Sequence, residues 1–251
     1  LPTVSQSKDL AQLHSLAAQF AADMVIIGAA ALLCFVELPL YTNDIDLIIA
    51  LDLEGFEAFS GALKTLGWIQ ERDREHRWHG PNGSVFDLVP AGPELRAIGQ
   101  VTWPESGFSM SLAGFEHVFN RSRPIPFGPD IQYKVAPPAV VALLKLIAFS
   151  EKPHRRAKDL DHLKMLLQGF EERSDRIFGD DVFGAELEDI EYAPAFLLGS
   201  DLRVFTTAED DAIVSTFLKN SCFLKRNWQN WTGMNCVNVL SIGTRCSSEH
   251  S

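Results

Sequence analysis

The chain has 251 residues, 46% of them hydrophobic, enough for a buried core that does not depend on disulfide staples. Its 33 acidic against 22 basic side chains give a formal charge of −11, which opposes general adhesion to nucleic acid or anionic membrane, so a phosphate-bearing partner has to be met locally. No apolar run is long enough to span a bilayer, the opening LPTVSQSKDL lacks the layout of a secretory signal, and the four cysteines form neither a disulfide framework nor a zinc spacing. The expectation is a cytoplasmic protein with reduced thiols and no membrane partner.

Residues 8–21 place Leu10, Leu13, Leu16, Ala17 and Phe20 at helical spacing, with Ser7 available as a cap. Residues 24–28 read as a short buried strand, 29–36 as a helix, 45–50 as a second strand and 53–66 as another helix, with a further strand starting at Trp68. Asn82-Gly83 carries the signal of a hairpin turn between two extended arms, the second over 85–89. Glycine and proline thin the pattern between Pro90 and Pro138, where 131–135 is the best strand candidate. Helices follow over 139–150, 157–168, 188–198 and 207–219, the last with Thr207 as cap and Asp210 three positions on. The predicted class is α+β, a small mixed β-sheet core with flanking helices followed by a helical C-terminal half, divided as 1–135, 136–220 and a tail of uncertain structure at 221–251.

The informative residues are carboxylates. Alternation along a strand puts Asp44 and Asp46 on one face while Ile45 and Leu47 enter the core. Two anions so close call for a compensating cation, and hard oxygen donors favour Mg²⁺ or Mn²⁺. Asp87, in Phe86-Asp87-Leu88-Val89, lies on a predicted strand among core residues and is placed to complete the site from a neighbouring strand. The acid-x-acid pattern itself recurs eight times, so it is position that singles this one out: it opens an apolar strand and follows a glycine turn into a helix. Asp159 and Asp161, by contrast, stand about 200° apart on a helix and cannot share one small site. Gly28 before Ala29 would let a phosphate approach the backbone N–H groups, or would serve close packing of the turn; Thr42 and Asn43 would brace the loop before the acids, or touch substrate.

These residues resemble a known family. Gly28-Ala29-Ala30-Ala31, Thr42-Asn43-Asp44-Ile45-Asp46-Leu47 and Phe86-Asp87-Leu88-Val89 look like the glycine turn, the paired aspartates and the third aspartate of the nucleotidyltransferase superfamily that includes DNA polymerase beta. The AbiEii-like nucleotidyltransferases, encountered as bacterial toxin components, are the branch it resembles most; Leu144-Lys145-Leu146 and Arg156-Ala157-Lys158-Asp159-Leu160-Asp161-His162-Leu163 are similar to its downstream helical motif. The resemblance covers about residues 20–168. It implies a metal-dependent transfer of a nucleoside monophosphate from NTP to an acceptor hydroxyl on a tRNA end, a protein or a small molecule, in a toxin paired with a cognate antitoxin. Asp44, Asp46 and Asp87 would hold the metals, with Asp87 helping to deprotonate the acceptor. Gly28, Ala29, Thr42, Lys145, Arg156, Lys158 and Asp159 would then serve the nucleotide. Two positions depart from the pattern: Ala29 stands where the family has glycine or serine, and Tyr41 where it often has arginine. Both weaken a phosphate cradle and motivate the alternative, a nucleotidyltransferase-fold protein that has lost turnover and acts as a nucleotide- or partner-binding module.

Overall fold

A computed structural model describes residues 3–37, 42–127 and 131–224. Tyr41 and the tail beyond residue 224 lie outside the described residues. The chain divides into two compact units, one of residues 1–34 and 40–137, the other of 35–39 and 138–251. The α+β class read from the sequence is the one adopted: a mixed sheet with helices, then a helical stretch.

The first unit opens with helix α1 (Val4–Gln19), which buries Leu10, Leu13, Leu16 and Ala17. It starts a turn earlier than Ser7 because Thr3 and Gln6 form a reciprocal capping box, Gln6 N–H donating to Thr3 Oγ1 at 3.2 Å and Thr3 N–H to Gln6 Oε1 at 2.8 Å. Strand β1 (Met24–Ile27) leads into a single turn, α2 (Gly28–Leu32), shorter than the helix expected there. Next come β2 (Asp44–Ile49), α3 (Leu53–Thr65), β3 (Ile69–Glu71), β4 (Arg74–His79) and β5 (Val85–Pro90). The stretch that gave little periodicity holds α4 (Pro93–Ile98), β6 (Gln100–Thr102), β7 (Ser109–Ser111), α5 (Phe115–Arg121), β8 (Arg123–Pro126) and β9 (Gln132–Val135). These pieces are three to seven residues long, below the length at which a period of 2 or 3.6 can be read.

Seven strands form one sheet in the order β3-β4-β5-β2-β1-β9-β8, and β6 pairs with β7 apart from it. Strand β2 runs parallel to β5 and β1 parallel to β9; the other pairs are antiparallel. Leu47, Ile49, Phe86, Leu88 and Trp78 are fully buried on one face of the central strands; the other face carries the acids at the start of β2 and is covered further along, where Ile48 is fully buried too. The carboxylate of Asp9, itself fully buried on α1, accepts from Asn82 N–H at 3.2 Å, Asn82 Nδ2 at 2.7 Å and Ser84 N–H at 3.3 Å. A helix carboxylate thus satisfies the donors of the β4–β5 turn.

The second unit contains α6 (Pro138–Glu151), α7 (Ala157–Gly169), α8 (Asp180–Gly184), α9 (Ala193–Arg203) and α10 (Ala208–Leu224). Helix α9 begins later than expected because Pro194 has to sit in its first turn, where the missing N–H costs nothing. Thr207 and Asp210 cap α10, with Thr207 N–H donating to Asp210 Oδ2 at 2.8 Å and Asp210 N–H to Thr207 Oγ1 at 3.3 Å. No helix among the described residues is long and apolar enough to cross a membrane.

Candidate functional site

The sheet register builds the site. Across β1, β2, β5 and β4, Ile27 lies opposite Asp46, Asp46 beside Asp87, and Asp87 opposite Arg77, in strands about 4.8 Å apart. Asp44, two residues before Asp46, shares its face. The structure therefore brings the three aspartates together on one face of the sheet's central strands, near the strand ends, with a residue the sequence reading passed over, Arg77.

Arg77 is the cation of this site. Its Nε donates to Asp87 Oδ1 at 2.7 Å, and its Nη2 donates to Asp87 Oδ2 at 2.8 Å and to Asp44 Oδ2 at 2.7 Å. The guanidinium thus meets Asp87 in a two-pronged fork and reaches Asp44 with the same nitrogen. Its hydrogen bonds to Asp87, with the charges of Asp87, Asp44 and Glu71, push the Arg77 pKa above its already high value against the opposing effect of burial. Thr42 Oγ1 lies 2.8 Å from Asp44 Oδ1 and 2.9 Å from the Asp44 carbonyl oxygen, so its single proton is shared between two acceptors. Beside Arg77, burial lowers the His76 pKa, aided by the charges of Arg77 and Arg74 and opposed by Asp87 and Glu71.

The expectation of Mg²⁺ or Mn²⁺ held by Asp44, Asp46 and Asp87 is corrected here. Among the described residues no group of three or more His, Cys, Asp or Glu side chains is placed to hold a metal ion. The electrostatic demand that pointed to a metal is real, and a side chain meets part of it: Arg77 supplies one positive charge, shared between Asp87 and Asp44.

Gly28 packs closely against an acid of the neighbouring strand. It sits at φ 67° at the end of β1, and a Cβ built there would overlap the Asp46 carboxylate. The glycine makes room for an acid already present, and it tolerates a backbone conformation that L side chains rarely adopt. Ala29 is buried behind it, on a helix of only five residues.

The basic residues of the downstream motif lie within the second unit. Lys145, buried on the apolar helix α6, donates to Asp159 Oδ1 at 2.9 Å, and Arg156 lies 3.7 Å from the other Asp159 oxygen. Lys158 is exposed. His162 follows one turn after Asp159; burial lowers its pKa, aided by Lys145 and Lys158 and opposed by Asp159 and Asp161, and its Nδ1 is buried without a hydrogen-bond partner. Lys145 therefore does not snorkel to solvent. It is neutralised by the acid that stands second after Ala157, the first residue of the next helix.

No family model matches the sequence, and no curated protein matches it. Among solved structures the chain is similar to the antibiotic-resistance factor ANT(2'')-Ia, at 12% identity and a TM-score of 0.42 over 90% of this chain and 98% of that one. It is similar to an antigenic nucleotidyltransferase-like protein from Paracoccidioides brasiliensis, at 12% identity and 0.46 over 90% and 92%. It is also similar to JHP933 from Helicobacter pylori, at 14% identity and 0.38 over 98% and 93%.

Proposed function

We propose that this chain is a nucleotidyltransferase-fold protein whose strand-end site works by binding rather than by group transfer. The observation that carries this reading is the Arg77 fork. Both Asp87 oxygens and one Asp44 oxygen already accept charge-assisted hydrogen bonds, so the groups that would handle a triphosphate and an acceptor proton are engaged with one another. Three carboxylates against one guanidinium leave a formal charge of −2 at the site. That balance repels a free triphosphate and attracts a cationic or donor-rich group of a partner, so a partner is favoured over a nucleotide as the bound species.

The test is incubation with each α-labelled nucleoside triphosphate and mixed cellular RNA and protein, alongside calorimetric titration with the unlabelled nucleotides, using the native chain and Asp46→Ala. Binding without turnover predicts no label on RNA or protein from either form. Label transferred by the native chain and lost in Asp46→Ala would overturn it. That outcome belongs to a second reading, transfer of a nucleoside monophosphate to an acceptor hydroxyl, which one observation favours: Asp87, far downstream in the sequence, lies beside the Asp44 and Asp46 pair on the adjoining strand. The labelled band would then identify the acceptor as RNA or protein, and a small molecule if neither is marked while nucleotide is consumed.

A further inference from the structure

The acidity of the chain is not spread evenly. Residues 171–191, which run from the end of α7 to the start of α9, hold nine acids and two arginines, a local charge of −7 out of −11. Both arginines are committed inside the second unit: Arg173 pairs with Glu37, and Arg176 donates to Asp201 at 2.7 and 3.1 Å and to Glu171 at 3.2 Å. Within this acidic segment Phe178 is 62% exposed and Phe183 63%, and Ile190 is exposed too.

A segment that was only a solvated linker would turn its phenylalanines inward, and this one does turn Val182 inward. Phe183, the next residue on α8, points out, as does Phe178 five residues earlier. Single exposed apolar side chains are ordinary; three within a run so dense in charge mark an interaction face. The first turn of the segment is also tethered. The Arg176 fork fixes the short turn at Asp175–Phe178 against α9, and Ser174 Oγ accepts from Arg176 N–H at 3.1 Å. Ordering that turn on binding therefore adds little entropic cost.

We propose that residues 171–191 form a docking face for a basic amphipathic helix of a partner protein. Charge selects among occupants. A second copy of this face would bring −7 against −7, and nucleic acid or an anionic membrane would be repelled as well. A helix with lysines flanking an apolar stripe answers both features, its cations meeting Asp180, Asp181, Glu186 and Glu188 and its apolar side chains covering the two rings. This surface stands independently of how the strand-end site is read.

The probe is a fluorescein-labelled Leu/Lys amphipathic helical peptide about five turns long, titrated with the full chain and followed by anisotropy. Its controls are the same peptide with every lysine changed to glutamate, and the chain carrying Phe178→Ser and Phe183→Ser. Both substitutions are at exposed positions, and circular dichroism checks that the helices persist. The expected result is saturable binding of the lysine peptide, weakened about tenfold or more by the double substitution and by raising salt from about 50 to about 500 mM, with none for the glutamate peptide. No binding, binding indifferent to the double substitution, or equal binding of the glutamate peptide overturns the proposal. So does a dimer in sedimentation velocity that the double substitution abolishes, which would make the face a self-interface.

Discussion

Replacing Arg77 by methionine isolates the interaction that organises the strand-end site. The substitution keeps the length of the apolar stem and removes three hydrogen bonds of 2.7 to 2.8 Å. The two arms to Asp87 join side chains that are 21% and 15% exposed, and such charge-assisted bonds are together worth about 2–3 kcal/mol here. The arm to Asp44 joins a carboxylate that is 35% exposed, so solvent screening cuts it to about 0.5 kcal/mol. The expected loss is about 3 kcal/mol, near the lower end of the range for breaking a buried pair and equivalent to a fall in Tm of roughly 6–12 °C for a chain of this size. Urea unfolding followed by tryptophan fluorescence is a suitable assay, since Trp68, Trp78 and Trp103 are all buried in the same unit. Adding Asp87→Asn in the methionine background should cost much less than it does in the native chain, giving a coupling of more than about 1.5 kcal/mol. A methionine variant within about 0.5 kcal/mol of the native protein would show that the guanidinium is not what balances these acids.

Gly28→Ala should lose about 1–2 kcal/mol from the left-handed backbone alone, and more as the Asp46 carboxylate is displaced; unchanged urea stability would contradict the close approach described. Lys145→Met should cost about 3 kcal/mol by leaving Asp159 buried with only the distant Arg156, whereas Lys145→Met with Asp159→Leu should recover most of it; far-ultraviolet circular dichroism during denaturation reads both. Acid should destabilise the fold in two stages. His76 and His162 are held below the usual histidine value of 6.5, so the unfolded chain binds more protons there, and their contribution, complete above pH 6.5, is lost as pH falls through their folded values. Burial would raise the Glu75 carboxyl, but hydrogen bonds from the Ser106 side chain and the Ser106 and Glu105 N–H groups outweigh it and hold it below 4.5, so its contribution disappears lower still. Stability constant from pH 7 to pH 4 would refute the assignment.

The longer elements were legible because their signals are local. Strand β2 reads as Asp44-Ile45-Asp46-Leu47 in alternation, and α3, α6 and α7 as runs of apolar residues at helical spacing, so the face shared by the three aspartates could be drawn from sequence. Arg77 could not, for a geometric reason. A two-residue turn at Asn82-Gly83 would set Arg77 opposite Leu88 and aim it at the core. The observed loop spans residues 80–84, which shifts the pairing by one and sets Arg77 opposite Asp87. The Lys145–Asp159 pair was hidden for a similar reason: an apolar helix with one lysine does not say which residue of the next helix will meet it.

The buried carboxylate on α1 has a part in this beyond anchoring. By accepting from Asn82 and Ser84, Asp9 rewards the wider loop and withholds that reward from the tighter one. The choice of hairpin, and with it the side of the sheet on which a guanidinium emerges, is thereby referred to a residue more than seventy positions upstream. Removal of the first helix would leave the donors of that loop without their acceptor, so α1 is part of what defines the charge pattern beside the hairpin.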